Sequence, residues 1–245
     1  MMESPSFLSP DWPAPAAVHA VVTTRGGGVS HGPYASLNLA THVGDEPSAV
    51  AANRARLREA LALPAEPAWL EQVHGTRVSF LPDGDRRSAD AAVTFTKGCV
   101  CAVLVADCLP VVLAGRAGDR VGVAHAGWRG LAAGVVEATV AALDGDPGTL
   151  IAWLGPSIGR DAFEVGAEVR EAFLGADPGA TDAFQAGRDG RWLADLSALA
   201  RRRLAAAGVT EVHGGGLCTH ADRTRFYSHR RDGITGRMAA LAWLV

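Results

Sequence analysis

The segment from Cys99 to Gly130, CVCAVLVADCLPVVLAGRAGDRVGVAHAGWRG, admits few conformations. Its three apolar runs, Val100 to Val105, Val111 to Leu113 and Val121 to Ala124, are rich in β-branched residues and bounded by turn formers, so they read as buried strands. Asp107 and Cys108 stand between the first two runs, and His125 ends the third. A thiol and an imidazole placed where an apolar strand stops can be held rigidly and still reach solvent. Gly127, Trp128, Arg129 and Gly130 then open a helix.

The chain has 245 residues, 48% of them hydrophobic, which is ample for a core; length alone admits one large domain or two small ones. A formal net charge of -3 argues against a general nucleic-acid binder, whose phosphate contacts require a basic surface excess. No apolar run approaches the roughly 20 residues of a membrane helix. The start, MMESPSFLSPDWPAP, lacks the basic and apolar regions of a signal peptide, so a cytoplasmic protein without a membrane partner is expected. Cys99, Cys101, Cys108 and Cys218 form no CxxC and no framework spacing, which favours thiols over disulfides, with one of them a ligand or nucleophile.

Residues 4 to 15 are rich in proline and serine, and the first 17 residues are expected to form a loosely ordered arm. Val18 to Thr24 reads as the first strand, and Gly26 to Gly28 beside Arg25 as either a tight turn or an anion-binding nest. A helix follows with Asp45 as its N-cap, Pro47 in its first turn and Val50, Leu57 and Leu61 as its apolar stripe. Arg54 falls on that stripe, so it needs a partner, either a buried ion pair or a substrate anion. AWLEQVHG reads as a short strand ending at His74, and Thr76 to Leu81 and Ala91 to Phe95 as two more, separated by the polar turn PDGDRRSAD. Beyond the central segment, Leu131 to Leu143 predicts one amphipathic helix, Leu150 to Leu154 a strand and Glu164 to Phe173 a helix. Residues 175 to 191 look like a linker, and Asp195 caps a helix over Leu196 to Ala207. Val209 to Val212, Leu217 to Thr219, Arg225 to Tyr227 and Met238 to Leu244 read as closing strands, with SHRRDGITGR as a basic, solvated turn whose His229, Arg230 and Arg231 are also candidates for phosphate. Strands outnumber helices without strict alternation, which predicts a mixed α/β (α+β) fold rather than a doubly wound parallel one. GxGxxG, P-loop and GxSxG motifs are absent.

His74, Cys108 and His125 support three chemistries. Two imidazoles and a thiolate with an open fourth position compose a catalytic zinc site, and the wide spacing in sequence favours catalysis over structural stapling. Zinc would acidify a bound water to a pKa of about 7, with Asp107 as a candidate to orient a ligand imidazole. The same trio is also a copper set, but a laccase needs several more histidines, usually in His-x-His pairs; the chain has eight histidines and no such pair. Without a metal, Cys108 and His125 would make a nucleophile and base for amide hydrolysis or deamidation.

VTTRGGGVSHGPYASLNLATHVGD, WLEQVHGTRV, ADCLPVVL, VAHAGWRGL, LGPSIG with FEVG, LCT, and FYSHRRDGITGRMAALAWL together resemble the YfiH-like family, also called the laccase-domain or polyphenol oxidase family and the peptidoglycan editing factor family. The resemblance runs from Val21 to Leu244. It implies that residues 1 to 245 form a single domain related to the catalytic fold of cytotoxic necrotizing factor. It further implies a metal site made by the histidine of QVHG, the cysteine of ADC and the histidine of HAGWRG, here His74, Cys108 and His125. The activity implied is phosphorolysis of adenosine, inosine and methylthioadenosine, with adenosine deamination. Alternatives are copper-dependent polyphenol oxidation and an amide hydrolase that removes misincorporated L-serine from a cell-wall precursor. The histidine count favours zinc and nucleoside chemistry. Phosphorolysis needs a cationic pocket for phosphate, expected from among Arg25, Arg54, Arg129 and Arg230, with Arg54 the first choice. The expected partners are small molecules, a purine nucleoside and phosphate.

Overall fold

The computed structural model describes residues 4–84 and 88–245. In chain order the elements are β1 (Phe7–Leu8), β2 (Val18–Thr23), α1 (Pro47–Ala60), β3 (Val78–Leu81), β4 (Ala91–Thr94), β5 (Val100–Val105), β6 (Leu109–Gly115), β7 (Val121–Ala126), α2 (Trp128–Ala133), α3 (Val135–Ala142), β8 (Leu150–Leu154), β9 (Glu164–Val165), α4 (Ala167–Leu174), β10 (Phe184–Ala186), β11 (Trp192–Ala194), α5 (Leu196–Ala206), β12 (Glu211–Gly214), α6 (His229–Asp232) and β13 (Met238–Leu244). They form a six-stranded sheet in the order β12-β8-β6-β7-β4-β3, a four-stranded sheet in the order β1-β2-β13-β5, and a small sheet β10-β11-β9.

Strand alternation sorts these elements into layers. On β6, Leu109, Val111 and Leu113 face a core shared with Leu131 of α2, Val136 and Val140 of α3, Phe173 of α4 and Leu199 and Leu204 of α5. Val112 and Ala114 of the same strand face the four-stranded sheet, against Cys101, Val103 and Val105 of β5 and Met238, Ala240 and Ala242 of β13. The other face of that second sheet, with Ala102, Leu104, Ala239 and Leu241, packs on Leu57 of α1 and on Leu37 and Leu39. The sequence is therefore two stacked sheets between two helical layers, a mixed α/β fold. β5 and β6 are buried on both faces, which is why they read as unbroken apolar runs. Each fully buried Leu or Val contributes about 1.5–3 kcal/mol.

Several expectations need correction. Residues 4 to 17 are anchored, since β1 pairs with β2 and Leu8, Trp12 and Ala14 pack on the core. The first helix begins one residue later than expected: Glu46 is its N-cap, while Asp45 Oδ2 accepts from Ser30 and Asn38. Residues 68 to 75 make one β-bridge, Ala68 with Cys101, and no strand. Gly134 at φ +101° divides the single helix expected over Leu131 to Leu143. The linker-like stretch is part of the body of the fold, with Ala180, Ala183 and Phe184 in the core. Of the closing strands, the first lies at Glu211–Gly214, Cys218 makes a single bridge to Ser157, and Arg225 to Tyr227 form none. The basic turn contains α6. The polar turn over 82 to 90 is described except for residues 85–87, which lie outside the described residues.

The Gly26 to Gly28 loop serves packing. Gly28 N–H donates to Ser36 Oγ, and a Cβ at Gly28 would lie 2.1 Å from the Ser36 carbonyl. Asn53 of α1 fastens this loop from below. Its Oδ1 accepts from Val29 N–H, and its Nδ2 donates to Ser30 Oγ and to the carbonyls of Ser36 and Asn38. Asn53→Ala should cost about 2–4 kcal/mol in urea unfolding, because several buried groups lose their partner at once; a loss below about 0.5 kcal/mol would contradict that role.

Candidate metal centre and its cavity

The site forms at one end of the sheet sandwich. The extended segment before His74 lies beside β5, where the Gln72 side chain takes the place of a missing strand ladder: its Nε2 donates to the Leu104 carbonyl at 2.9 Å and its Oε1 accepts from Leu104 N–H at 2.7 Å. The backbone then turns through the left-handed region at His74, φ +61°. That turn aims three successive N–H groups, of Val73, His74 and Gly75, at the carboxylate of Asp90, at 3.2, 2.9 and 2.6 Å. Such a concave run of N–H groups is an anion nest, here filled by a side chain of the protein itself.

Asp90 also fixes His125. Its carbonyl accepts from His125 N–H at 2.7 Å, and its Oδ1 lies 2.9 Å from His125 Nδ1. Because the carboxylate accepts, Nδ1 carries a proton, which leaves Nε2 as the nitrogen a metal would take on displacing any proton there. Burial would raise the Asp90 carboxyl, but the hydrogen bonds from His125, Gly75 and Val73 outweigh it and hold it below its ordinary value.

Cys108 stands on the turn between β5 and β6, directly after Asp107, which is at φ +88°. The Asp107 carboxylate does not orient an imidazole, contrary to expectation. It accepts from Thr219 Oγ1 and from the backbone N–H of Arg230, both at 2.6 Å, and so ties the turn to α6. Asp90 fills the role expected of Asp107. Sequence patterning passed over Asp90 because it sits inside a polar turn, one residue before β4, where an aspartate ordinarily faces water.

His74 Nε2 lies 3.8 Å from Cys108 Sγ, the two imidazoles meet edge to face at 4.7 Å between centroids, and the three ligating atoms lie within 4.8 Å of one another. Among the described residues this is the only cluster of three or more His, Cys, Asp or Glu side chains able to hold a metal. The donor set fits a metal ion: two nitrogens, one sulfur and an open side towards the cavity. Gly127 is part of the fit, since a Cβ there would lie 2.8 Å from Cys108 Sγ and 2.9 Å from the His74 ring. Gly130 similarly lets α2 approach the Gly75 carbonyl.

The cluster opens into a cavity of about 360 Å³ whose wall also carries Arg129, Arg237, His42 and His229, and among the described residues no carboxylate lines it. Of the four arginines expected to bind phosphate, only Arg129 lies here. Arg54 spends Nε and Nη2 on the Leu39 carbonyl and stacks on Trp69, in an adjoining cavity. Arg25 braces Ala35 and Arg223 carbonyls over the Tyr227 ring. Arg230 donates to the Glu164 carbonyl and lies over Phe163, and Arg231 donates to the carbonyls of Thr219, His220 and Phe226. These are structural uses of arginine. Arg237 and His42 went unnoticed in the sequence because their loops carry no periodicity.

Burial would raise the Cys108 thiol, but the facing imidazoles of His125 and His74 more than reverse this and bring it down to about 6. Burial would lower His125, which the Cys108 thiolate and Asp90 instead raise to about 9. Cysteine alkylation in metal-free protein should therefore be half-maximal near pH 6: thiol, hence slow, below that pH, and thiolate, hence fast, above it. A midpoint near the ordinary thiol value of about 8.5 would contradict the pairing. The Cys108→Ser variant identifies the reacting thiol.

The chain matches the model of the family described as multi-copper polyphenol oxidoreductase laccase over residues 19–245. It is 55% identical over 241 residues to a purine nucleoside phosphorylase of Pseudomonas aeruginosa, covering 98% of each chain. It is 53% identical over 242 residues to the purine nucleoside phosphorylase YfiH of Escherichia coli, covering 98% of this chain and 99% of that one. A crystal structure of a Neisseria meningitidis protein superposes with a TM-score of 0.93 at 52% identity, covering 97% of this chain and 98% of that one. The fold, the clustering of the three motif residues and these matches together make the chain a member of the YfiH-like laccase-domain family.

Proposed function

We propose that this protein is a metal-dependent purine nucleoside phosphorylase with adenosine deaminase activity, acting on adenosine, inosine and methylthioadenosine in the cytoplasm, where Cys108 stays reduced. The observation that carries the reading is the cavity itself: three ligating side chains and two arginines line it, and among the described residues no carboxylate does. Such a site suits a neutral nucleoside together with an anionic second substrate. The names of the Pseudomonas and Escherichia relatives support the same reading. The expected kinship with the catalytic fold of cytotoxic necrotizing factor belongs to this proposal.

His74, Cys108 and His125 would hold the metal, zinc in preference to copper, because a laccase needs a second, trinuclear centre and the described residues offer one cluster. When bound, zinc supplies Lewis acidity, polarising an oxygen and acidifying a water. The chain's own groups do the rest. Asp90 holds the His125 proton on Nδ1 and fixes the turn that presents His74, so neither ring must reorganise during reaction. Arg129 and Arg237 attract phosphate and offset its charge beside the nucleoside. In phosphorolysis the C1′–N bond breaks, its electron pair and a proton go to the departing base, and a phosphate oxygen bonds C1′ to give ribose 1-phosphate. In deamination a water oxygen replaces the C6 amino group, which leaves as ammonia.

Chromatographic analysis of adenosine incubated with the protein, with and without phosphate, tests this. Phosphate-dependent adenine and ribose 1-phosphate are expected, together with inosine, and Cys108→Ala should lower these rates by at least about 100-fold. Unchanged adenosine with folded, metal-loaded protein would overturn the reading in favour of an amide hydrolase on a cell-wall precursor.

A further inference from the structure

Phosphorolysis requires a seat for inorganic phosphate within reach of C1′, and Arg237 has the properties of that seat. Its backbone is locked: Arg237 N–H donates to Asn38 Oδ1 at 2.9 Å, its carbonyl accepts from Leu39 N–H at 3.3 Å, and a Cβ at the preceding Gly236 would lie 2.7 Å from the Tyr227 ring. Its side chain is anchored at one corner only, Nη1 donating to the carbonyls of Thr235 and Gly236 at 2.9 and 3.0 Å. Among the described residues Nε and Nη2 meet no acceptor, and neither Arg237 nor Arg129 makes an ion pair. Burial holds the Arg237 guanidinium below its ordinary value, and Cys108 and Asp107 offset this only in part. A desolvated, preorganised arginine without a direct ion pair is a group whose charge an incoming anion can complete.

The neighbours match that use. His42, beside it on the cavity wall, is held below its ordinary value by burial and by Arg237 and Arg54, so it stands neutral at pH 7 and can donate one hydrogen bond. Arg129, exposed on the first turn of α2 and stacked over Trp128, places a second cation on the wall.

We propose that Arg237 is the principal phosphate-holding residue, seating inorganic phosphate through its Nε and Nη2 edge inside the cavity of His74, Cys108 and His125, with Arg129 as the second cation. The assignment rests on the phosphorylase reading above. Arg237 is none of the arginines that sequence patterning offered, whereas Arg129 is one of them.

Calorimetric titration of the metal-loaded protein with inorganic phosphate tests it, alongside phosphorolysis kinetics. Arg237→Gln should weaken phosphate binding and raise KM for phosphate at least about tenfold, with KM for adenosine changed less than about twofold, because a charged, edge-on hydrogen-bond pair is lost. Arg237→Lys should fall between, keeping the charge and losing the planar edge. Arg230→Gln, which removes the same charge from α6 without facing the cavity, should stay within about twofold of wild type. Wild-type phosphate affinity in folded Arg237→Gln overturns the proposal, as does the absence of phosphate binding to wild type. Should Arg237→Gln fail to fold, an unchanged phosphate KM in Arg237→Lys overturns it. Phosphate bound through Arg237 by a protein that releases no base from any nucleoside supports the seat and overturns the phosphorylase reading alone.

Discussion

The carboxylate of Asp90 is the point on which the site depends. It is fully buried, yet it is surrounded by donors: three backbone N–H groups of the 73–75 turn on one side and the His125 ring on the other. A buried charge is costly unless every lone pair is met, and the cost is offset here only when the turn and the ring are both in place. The arrangement is therefore cooperative. The left-handed backbone at His74 is tolerated because the carboxylate draws the turn closed, and His125 is set in one tautomer by the same oxygen that receives His74 N–H.

The layers make this possible. β6, β7 and β4 are successive strands of the six-stranded sheet, so Asp90 just before β4, Cys108 just before β6 and His125 near the end of β7 arrive at one end of the sheet. Antiparallel pairing sets the registers, with Pro110 opposite His125 and Ala91 opposite Ala124. His74 comes from outside the sheet, which explains why its position needs side-chain clamps, Gln72 on β5 and Asp90 on the turn. Gly127 and Gly130 remove the Cβ atoms that would otherwise keep α2 away from the cluster. Residues scattered over some fifty positions thus converge with little freedom left to lose on binding.

Much of this was legible in the sequence because five strands are buried on both faces: continuous apolar runs located β5, β6, β7, β8 and β13, and reactive residues at their ends located Cys108 and His125. The motif resemblance supplied the grouping with His74, which spacing alone left open. Legibility failed where tertiary hydrogen bonds replace local pattern. The 68–75 segment imitates a strand because Gln72 substitutes for one, and Asp107 and Asp90 are indistinguishable by type, since only the fold decides which faces an imidazole. The arginines failed for a related reason: Arg54 on its helical stripe signals burial, not a ligand, and its partner is a backbone carbonyl that no side-chain pattern reveals.

The most direct test of the account is the zinc affinity of Asp90→Asn, measured by competition with a chromogenic chelator and set beside the melting temperature. An asparagine offers one acceptor and turns an NH2 group towards N–H donors, so zinc affinity should fall about 10–100-fold in a variant that remains folded. A folded Asp90→Asn protein that binds zinc as tightly as the wild type would contradict it, because the turn and the His125 ring would then be set by something other than this carboxylate.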